Sequence, residues 1–209
     1  MGLRESFRAG LARQLGHPSG LRGRIVGAML NRRNRTAVVR AVAALEVAGG
    51  ETALDIGFGG GLGLALLLDK AGVVHGVDIS ATMLDRARGA FRGEIAAGRL
   101  VLSAGSMTAL PLGDGSVDAV VSTNTVYFID DLAGAFAEVA RVLRPGGRFV
   151  LGIGDPDLMS RAPMLTDNGF RIRPVAELES ALDGAGLPLR NHERVAHRGL
   201  GFHLLVSGK

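Results

Sequence analysis

Short apolar runs alternate with amphipathic stretches along most of this chain. Five of the runs, which begin near residues 53, 73, 100, 117 and 148, are short enough to be buried strands. Between the fourth and fifth runs, apolar residues recur at helical spacing, as Leu132, Phe136 and Val139 illustrate. Strands that alternate with helices predict an α/β fold with a mostly parallel, doubly wound sheet.

The two ends of the chain depart from this alternation. Before residue 48, helix-like spacing predicts three helical stretches, the last of them over residues 35–47. After residue 186, two stretches of alternating apolar and polar residues, 187–195 and 201–206, predict an antiparallel hairpin that closes the sheet. We therefore expect an N-terminal helical segment over residues 1–48 and an α/β domain over residues 49–209.

A glycine-rich turn follows the first predicted strand. Gly57, Gly59 and Gly61 alternate with other residues directly after Ile56, and a helical run begins at Leu62. Strand, glycine turn and helix form a layout that binds nucleotide-like ligands, because glycine allows positive φ and lets backbone N–H groups approach the ligand without an intervening Cβ. The dinucleotide pattern Gly-x-Gly-x-x-Gly is absent in either register, since positions 62 and 64 are leucine, and no Gly-Lys-Ser/Thr ending marks a P-loop.

An acidic residue ends the second predicted strand. Asp78 follows the apolar run that starts at Val73, and it lies 21 residues after Gly57. A carboxylate at this point of a nucleotide-binding fold is placed to accept hydrogen bonds from both ribose hydroxyls. The alternative is that Asp78 or Ser80 caps the helix that follows. The pattern favours the ribose contact.

Three motifs together resemble those of the class I S-adenosylmethionine (SAM)-dependent methyltransferases, in particular the UbiE-like group with a type 11 methyltransferase domain. They are Asp-x-Gly-x-Gly-x-Gly at residues 55–61, Asp-x-Ser-x-x-Met-Leu at residues 78–84 and Leu-Arg-Pro-Gly-Gly at residues 143–147. The resemblance covers residues 40–209. It implies a Rossmann-like, mostly parallel seven-stranded sheet with a C-terminal antiparallel hairpin, SAM as the cofactor and S-adenosylhomocysteine as its product. It also implies that the helices of residues 1–48 form a lid over the substrate.

The implied activity is transfer of a methyl group from SAM to a small-molecule acceptor by in-line displacement. The cofactor carries the activated carbon, so the protein has to bind, align and exclude water, and no dedicated catalytic group is obligatory. Two alternatives remain, a SAM-binding protein without turnover and a nicotinamide-dependent oxidoreductase. The missing dinucleotide spacing and the absence of Tyr-x-x-x-Lys argue against the oxidoreductase. The motifs specify neither the acceptor, the atom methylated nor the oligomeric state.

The resemblance assigns cofactor contacts residue by residue. Asp55 would lie near the ammonium group of the methionine part of SAM, for which a carboxylate is the natural partner. Ile79 and Met83 would pack against the adenine. The family has an adenine-binding Asp where this chain has Ser106, so a hydroxyl or the backbone beside Met107 would make that contact. The complete set of expected cofactor residues is Asp55, Gly57, Phe58, Gly59, Gly61, Asp78, Ile79, Met83, Ser106, Met107 and Asn124.

The loop after the fourth predicted strand carries the candidate catalytic residues. Ligands bind at the carboxyl edge of a parallel sheet, so residues 124–128 should face the methyl group. We expect Asn124 and Tyr127, the only tyrosine, to form a wall of the methyl-transfer site; the alternative for Tyr127 is a packed core residue. Their spacing resembles the Asn-x-x-Tyr of amino-methyltransferases that act on nucleobases. Thr125 and Val126 replace the two prolines of that motif, so nucleobase chemistry is not expected.

Composition excludes several other chemistries. The chain has no cysteine, which rules out disulfides, thiolate zinc sites and cysteine nucleophiles. No metal-ligand spacing stands out, so no metal is expected. No apolar run approaches the roughly 18 residues of a membrane span, and charged residues interrupt the N-terminus where a signal peptide would be apolar. We therefore expect a cytoplasmic protein.

Histidines and loop acids of the C-terminal third offer no clear catalytic group. His192, His197 and His203 fall in the predicted hairpin, where we expect them at the surface and far from the methyl group. Asp155 and Asp157 fall in the polar stretch after the fifth strand, which we expect to form part of a substrate lid. This pair could bind a cation, but a solvated pair is the favoured interpretation.

Positive charge is concentrated at the N-terminal end. The whole chain has a net charge of +4, but residues 1–50 hold nine Arg against two Glu. The cluster of Arg32, Arg33, Arg35 and Arg40 is interpreted as a solvated helix face, with an anion- or membrane-binding patch and a nucleic-acid contact as alternatives. No aromatic residues interleave these arginines, so a nucleic-acid partner is not expected.

Overall fold

The computed structural model describes residues 34–161, 170–197 and 200–209 of the chain. The strands in this part are β1 (Thr52–Ile56), β2 (Val73–Asp78), β3 (Leu100–Ala104), β4 (Val117–Thr123), β5 (Leu143–Gly154), β6 (Leu189–His197) and β7 (Leu200–Gly208). They form one sheet in the order β3-β2-β1-β4-β5-β7-β6. Neighbours among β1 to β5 are parallel, whereas β7 is antiparallel to β5 and β6. The predicted mostly parallel sheet with a C-terminal antiparallel hairpin is therefore confirmed.

Helices cover both faces of this sheet. They are α1 (34–44), α2 (Leu62–Leu68), α3 (Ala81–Ala90), α4 (Arg92–Ala96), α5 (Leu132–Val142), α6 (Pro156–Ser160) and α7 (Val175–Gly184). Helices α5 and α7 pack on one face through buried residues such as Phe136 and Leu182. Helices α1, α2 and α3 pack on the other through residues such as Val42, Leu64 and Met83. Burial of each such side chain contributes roughly 1.5–3 kcal/mol, so two apolar layers hold the sheet between helices.

The strand order creates a switch point between β1 and β4. From β1 the chain moves outward to β2 and β3, and it then returns to pair β4 on the other side of β1. In a doubly wound sheet this reversal leaves a crevice at the carboxyl ends of the two central strands, where ligands bind.

The start of β5 differs from the prediction. Pairing with β4 begins at Leu143, which lies opposite Val117, and it resumes at Arg148, opposite Ala119. The intervening residues bulge out of the pairing, with Gly146 at a left-handed φ of 80°. The predicted Pro-Gly-Gly turn thus lies within the strand as a bulge, because Pro cannot donate a ladder hydrogen bond and Gly permits the left-handed bend.

The N-terminal part is described only from residue 34 onward. Helix α1 ends at residue 44 rather than at the predicted residue 47, and Glu46 takes a left-handed φ of 51° in the turn that follows. Leu45 packs in the same core layer as Leu64 of α2. The helices predicted before residue 34 lie outside the described residues, and the division of the chain at residue 48 stays a prediction.

Candidate functional site

Four strand ends meet at the switch point. Because β2, β1, β4 and β5 are parallel neighbours, the residues at their carboxyl ends lie along one edge of the sheet. Gly57 follows β1, Asp78 ends β2, Asn124 follows β4 and Asp155 follows β5. The structure thus brings the glycine turn, the acid of the second strand and the loop after the fourth strand to one crevice.

The glycine turn after β1 takes a backbone conformation that favours glycine. Gly57, Gly59 and Gly61 have φ angles of 70°, 49° and 83°. A Cβ on Gly57 would lie 2.5 Å from Thr125 Oγ1, whereas a Cβ on Gly59 would meet only a backbone oxygen at 3.9 Å. Close packing therefore requires glycine at 57, while glycine at 59 leaves open space in front of the turn. Phe58, between them, is buried in the core layer below.

Asp78 joins this turn to the helix that follows β2. Its Oδ2 accepts the N–H of Gly59 at 2.9 Å, and its Oδ1 accepts the N–H of Ser80 at 2.8 Å. Ser80, rather than Asp78, is the N-cap of α3, since Ser80 Oγ accepts the N–H of Met83. Asp78 is therefore buried at the ligand edge as a hydrogen-bond acceptor and is not the helix cap.

Asp55 lies at the end of β1 with its carboxyl group against the first turn of α2. It is 5% exposed. Burial, and then the negative charge of Asp78, raises the pKa of Asp55 to about 8. No basic side chain in the described ranges offsets this increase, so the carboxyl group is mostly protonated at pH 7. A cation that reached Asp55 would favour the ionised form.

Gly63 is a residue of this site that the sequence motifs did not indicate. It is the second residue of α2, where glycine costs about 1 kcal/mol relative to alanine. A Cβ at this position would collide with Asp55 Oδ2. A glycine within an otherwise leucine-rich helix was the signal that the sequence offered, but it did not identify Asp55 as the group packed against it.

The residues expected around adenine lie at different depths. Ile79 is 48% exposed just beyond the second strand and so presents apolar surface at the ligand edge. Met83 and Met107 are buried in opposite core layers and present almost no surface. Ser106 Oγ lies 2.9 Å from Thr108 Oγ1 in a short turn, so a neighbouring side chain already engages this hydroxyl.

Asn124, directly after β4, has an unusual backbone conformation. Its φ is 58°, and it shares a positive φ with Glu46 alone among the described non-glycine residues. Asn tolerates the left-handed region better than most residues, but such a residue at a ligand edge is a mark of functional constraint. The Asn124 N–H donates to the Gly152 carbonyl at 2.8 Å, and its Oδ1 accepts the Tyr127 hydroxyl at 3.3 Å.

Tyr127 is a packed core residue, and it also supports the loop after β4 through hydrogen bonds. It is 3% exposed, and its hydroxyl oxygen accepts the N–H of Gly154 at 2.7 Å while its O–H donates to Asn124. Burial raises the pKa of Tyr127, and the hydrogen bond from Gly154 only partly offsets the increase. The phenol is therefore neutral at physiological pH, where it links the ends of β4 and β5.

Asp155 contradicts the expectation of a solvated acidic pair. It is buried, whereas Asp157 is exposed. Asp155 Oδ1 accepts the N–H groups of Asp157 and Leu158 as the N-cap of α6, and Oδ2 lies 2.7 Å from Arg194. Burial acts to raise the pKa of Asp155, but the hydrogen bonds from Arg194 and the backbone outweigh it and lower the pKa. The described residues contain no group of three or more potential metal ligands, and Asp155 acts as a cap and ion-pair partner.

His203 is buried rather than at the surface, so that expectation was wrong. Because β7 runs antiparallel to β5, its start returns to the carboxyl edge and places His203 opposite Ile153. His203 Nε2 lies 3.6 Å from Asp155 Oδ2, and its Nδ1 lies 2.8 Å from His192 Nε2. Burial, and then the neighbouring His192, lowers the pKa of His203. His192 is exposed as expected, and the side chain of His197 lies outside the described residues.

The fold and the switch-point turn define a Rossmann-like α/β domain of the methyltransferase type. The chain superimposes on a chain described as a methyltransferase, solved in complex with the Trm112 methyltransferase activator of Haloferax volcanii, with a TM-score of 0.78. The superposition covers 87% of this chain and 92% of the other, at 24% sequence identity. This likeness concerns the fold.

Sequence comparison then identifies the family. Residues 54–151 match the family model described as a methyltransferase domain, and this part of the chain is a class I SAM-dependent methyltransferase domain. The "Probable S-adenosylmethionine-dependent methyltransferase" of Mycolicibacterium smegmatis is 31% identical over 150 residues, which make up 71% of this chain and 56% of that protein. The O-methyltransferase resE of Aspergillus sclerotiorum is 30% identical over 122 residues, 58% of this chain and 46% of that protein.

This chain matches only part of these longer proteins. The alignments cover between 33% and 56% of the length of the first four curated relatives. Across the described ranges, helices are too short or too polar to cross a membrane. The cytoplasmic location stays a prediction.

Proposed function

We propose that this protein is a SAM-dependent methyltransferase that transfers the sulfonium methyl group to a small-molecule acceptor. One observation carries the proposal: the matched domain, residues 54–151, contains a left-handed glycine turn flanked by two buried acids, Asp55 and Asp78, at the switch point. SAM supplies the activated carbon when bound. The chain's own contribution is to bind and align the reactants and to exclude water.

The two acids support distinct cofactor contacts. Asp55 suits the methionine ammonium, because a cation at this position would compensate a carboxylate that burial and Asp78 otherwise disfavour. Asp78 suits the ribose, because a carboxylate can accept about four hydrogen bonds and can therefore combine ribose hydroxyls with its backbone donors. Ile79 offers exposed apolar surface to the adenine.

The remaining cofactor contacts are proposed from the motif positions. Backbone N–H groups of the glycine turn would approach the methionine part of SAM, since no side chain fills the space at Gly59. The other residues of the proposed cofactor site are Gly57, Phe58, Gly61, Met83, Ser106, Met107 and Asn124. Of these, Phe58, Met83 and Met107 would contribute through the backbone, because their side chains are buried.

The methyl acceptor is proposed to lie beside Asn124. Its left-handed backbone presents the side chain at the end of β4, and the Tyr127 hydroxyl holds Oδ1. Tyr127 is buried and neutral, so it acts through Asn124 rather than as a base. The curated relative named an O-methyltransferase supports methyl transfer as the activity.

Calorimetry and a transfer assay test this proposal. S-adenosylhomocysteine should bind to the purified protein, and label from methyl-radiolabelled SAM should enter a compound of a metabolite extract. If neither SAM nor S-adenosylhomocysteine binds at millimolar concentration, the proposal fails. Binding without transfer across a broad panel of extracts would instead favour a SAM-binding protein without turnover. Saturation-transfer NMR with NAD and SAM separates both from an oxidoreductase.

A further inference from the structure

One short segment holds the backbone of the loop that carries Tyr127. This loop contains a single 3₁₀ turn, Val126–Phe128. The N–H of Arg171 donates to the Tyr127 carbonyl at 3.0 Å. Arg173 Nη1 donates to the Val126 carbonyl at 2.8 Å, and its Nη2 donates to the Ile129 carbonyl. Residues 171–173 therefore engage three carbonyls around the turn, although more than 40 residues of sequence separate the partners.

The Arg173 side chain is more deeply buried than its ion pair with Glu177 requires. It is 10% exposed, and its Nε lies 3.2 Å from Glu177, whose side chain is 52% exposed. An Arg–Glu ion pair forms readily at the surface, without burial of the guanidinium. Burial of a guanidinium is costly unless its donors find acceptors, and here two loop carbonyls accept from Nη1 and Nη2. The planar, forked guanidinium can donate to both carbonyls at once, whereas the compact ammonium of a lysine is less suited to two separated acceptors.

The hydrogen bonds of Arg173 hold the loop that contains the residues proposed for methyl transfer. Tyr127 receives the N–H of Gly154 on its hydroxyl and donates to Asn124. Its ring centroid lies 5.6 Å from that of Phe170, which precedes the bridging segment. A shift of the 3₁₀ turn would move the Tyr127 hydroxyl, and with it the side chain of Asn124.

We propose that Arg173 is a positioning residue of this site: it clamps the turn at both ends and so fixes Tyr127 and Asn124 at the carboxyl edge. The assignment of this edge to methyl transfer rests on the proposed function above. The clamp itself rests on the contacts of Arg173 and is testable without a methyl acceptor.

The neighbouring chain supplies matched controls. The side chain of Arg171 is 57% exposed and pairs with Asp130, so only its backbone N–H contacts the turn. Arg171→Met and Arg173→Met therefore remove the same charge, but only the second removes the clamp. Glu177→Gln removes the ion pair and leaves both carbonyl bonds of Arg173.

Tyr127 provides the readout, because the chain has one tyrosine and no tryptophan. Its fluorescence quenching by acrylamide and its ionisation at high pH report on this residue alone. Arg173→Met should raise the quenching constant about threefold and let the phenol ionise at lower pH, since loss of the clamp exposes the ring. Arg171→Met and Glu177→Gln should match the wild type. Arg173→Lys should give an intermediate value, because lysine can restore one of the two carbonyl bonds.

The second readout separates positioning from general loss of structure. In the extract assay, Arg173→Met should lower the methyl-transfer rate about tenfold, as expected for a small misplacement of site residues. Affinity for S-adenosylhomocysteine should fall by a clearly smaller factor, because Asn124 is only one of its proposed contacts. Equal quenching in the Arg171 and Arg173 variants would overturn the proposal, and so would a loss of affinity as large as the loss of rate. If Arg173→Met does not fold, Arg173→Lys must still show the raised quenching. If the wild type transfers no methyl group, the proposed function fails, and the tyrosine measurements still decide the clamp.

Discussion

The parallel sheet has an amino edge, where its strands begin, and a carboxyl edge, where they end. Both edges contain buried or partly buried acids, but the pKa of an acid beside the glycine turn is raised, whereas the pKa values of the acids at the amino edge are lowered. At the amino edge, Arg148 donates to both carboxylate oxygens of Glu51, at 3.1 and 2.6 Å, and so lowers the pKa of that acid. Burial acts to raise the pKa of Asp118, but hydrogen bonds from the Thr52 N–H and from Arg144 outweigh it and lower the pKa. The chain itself therefore supplies the cations that this edge needs.

The part of the carboxyl edge that holds the glycine turn is built the other way, whereas Asp155 after β5 is paired with Arg194 and has a lowered pKa. Asp55 is buried beside a second acid, Asp78, and its pKa is raised to about 8. The backbone there is left-handed at Asn124 and at three glycines of the turn. A buried acid without a cationic partner and a left-handed non-glycine residue both cost stability, and they persist where they serve a ligand. The amino edge thus stabilises the fold. The carboxyl edge instead suits a ligand that carries a cation to Asp55 and fills the open space at Gly59.

The largest expected effect comes from a side chain at Gly59. Gly59→Val should abolish SAM binding, because it fills the open space where the cofactor is proposed to lie. Gly115→Val is the matched control at the amino edge. Gly115 has a φ of 54° against 49° for Gly59, and a Cβ on it would meet nothing within 4 Å.

Both valine variants should lose about 1–2 kcal/mol of unfolding free energy, since each places a branched residue in the left-handed region. Urea unfolding measures this loss, and calorimetry with S-adenosylhomocysteine measures binding. Loss of binding in both variants would mean that backbone strain, rather than the space at Gly59, determines affinity.

The next largest effect is expected from Asp78→Ala at the carboxyl edge, compared with Asp118→Ala at the amino edge. Asp78→Ala should weaken SAM binding at least about tenfold, because it removes a charged acceptor for the ribose hydroxyls and an anchor of the glycine turn. Asp118→Ala removes an acid that likewise accepts a backbone N–H, from Thr52 at 2.8 Å, but lies at the amino edge. It should lower stability and leave SAM affinity within about twofold. Unchanged affinity of Asp78→Ala in calorimetry would refute the ribose contact.

The sequence predicts those parts of the molecule that depend on local patterns. The strands and the longer helices are encoded by their own apolar runs, whereas α4 and α6 were not predicted. The turn from Asp55 to Gly61 together with Asp78 lies within 24 consecutive residues. A strand that feeds a glycine turn and a helix can enter a parallel sheet in few ways, so the switch point follows as well. Gly63 shows the limit of this reasoning, because its role appears only once the Asp55 side chain is placed.

Contacts between distant segments could not be predicted in this way. His203 lies beside Asp155 only because β7 pairs with β5 in the register that places it opposite Ile153. A slip of one residue would turn His203 to the other face of the sheet. The bonds from Arg173 to the loop of Tyr127 depend in the same way on the path of the chain after β5. Local apolar patterns contain no information on such registers.

A smaller effect follows from the raised pKa of Asp55. If the SAM ammonium binds the ionised carboxyl group, binding must release the proton that Asp55 carries in the free protein. With a pKa of about 8, affinity should rise about eightfold from pH 6.5 to 7.5, and close to one proton should be released at pH 7. Calorimetry in buffers of different ionisation enthalpy counts this proton.

Asp55→Asn is the control, since it should remove both the pH dependence and the proton release. If the SAM affinity of Asp55→Asn depended on pH as in the wild type, a group other than Asp55 would be responsible for that dependence. The free protein offers an independent check. The folded pKa lies above the ordinary 3.8, so the contribution of neutral Asp55 to stability is present below pH 4 and is lost as the pH rises towards 8.

The smallest effect is expected at the amino edge, and its pH dependence has the opposite sign. Glu51→Gln should cost about 1 kcal/mol at pH 7, because the pair with Arg148 is charge-assisted but partly exposed. Since the pKa of Glu51 is lowered from 4.5, its contribution is present above that value and is lost as the pH falls through the folded pKa. Urea unfolding should therefore show the variant and the wild type converging once the pH falls below the folded pKa of Glu51, with equal affinity for S-adenosylhomocysteine at pH 7. A deficit that persisted at low pH would mean that packing, rather than charge, makes Glu51 stabilising, and the contrast between the two edges would then not be electrostatic.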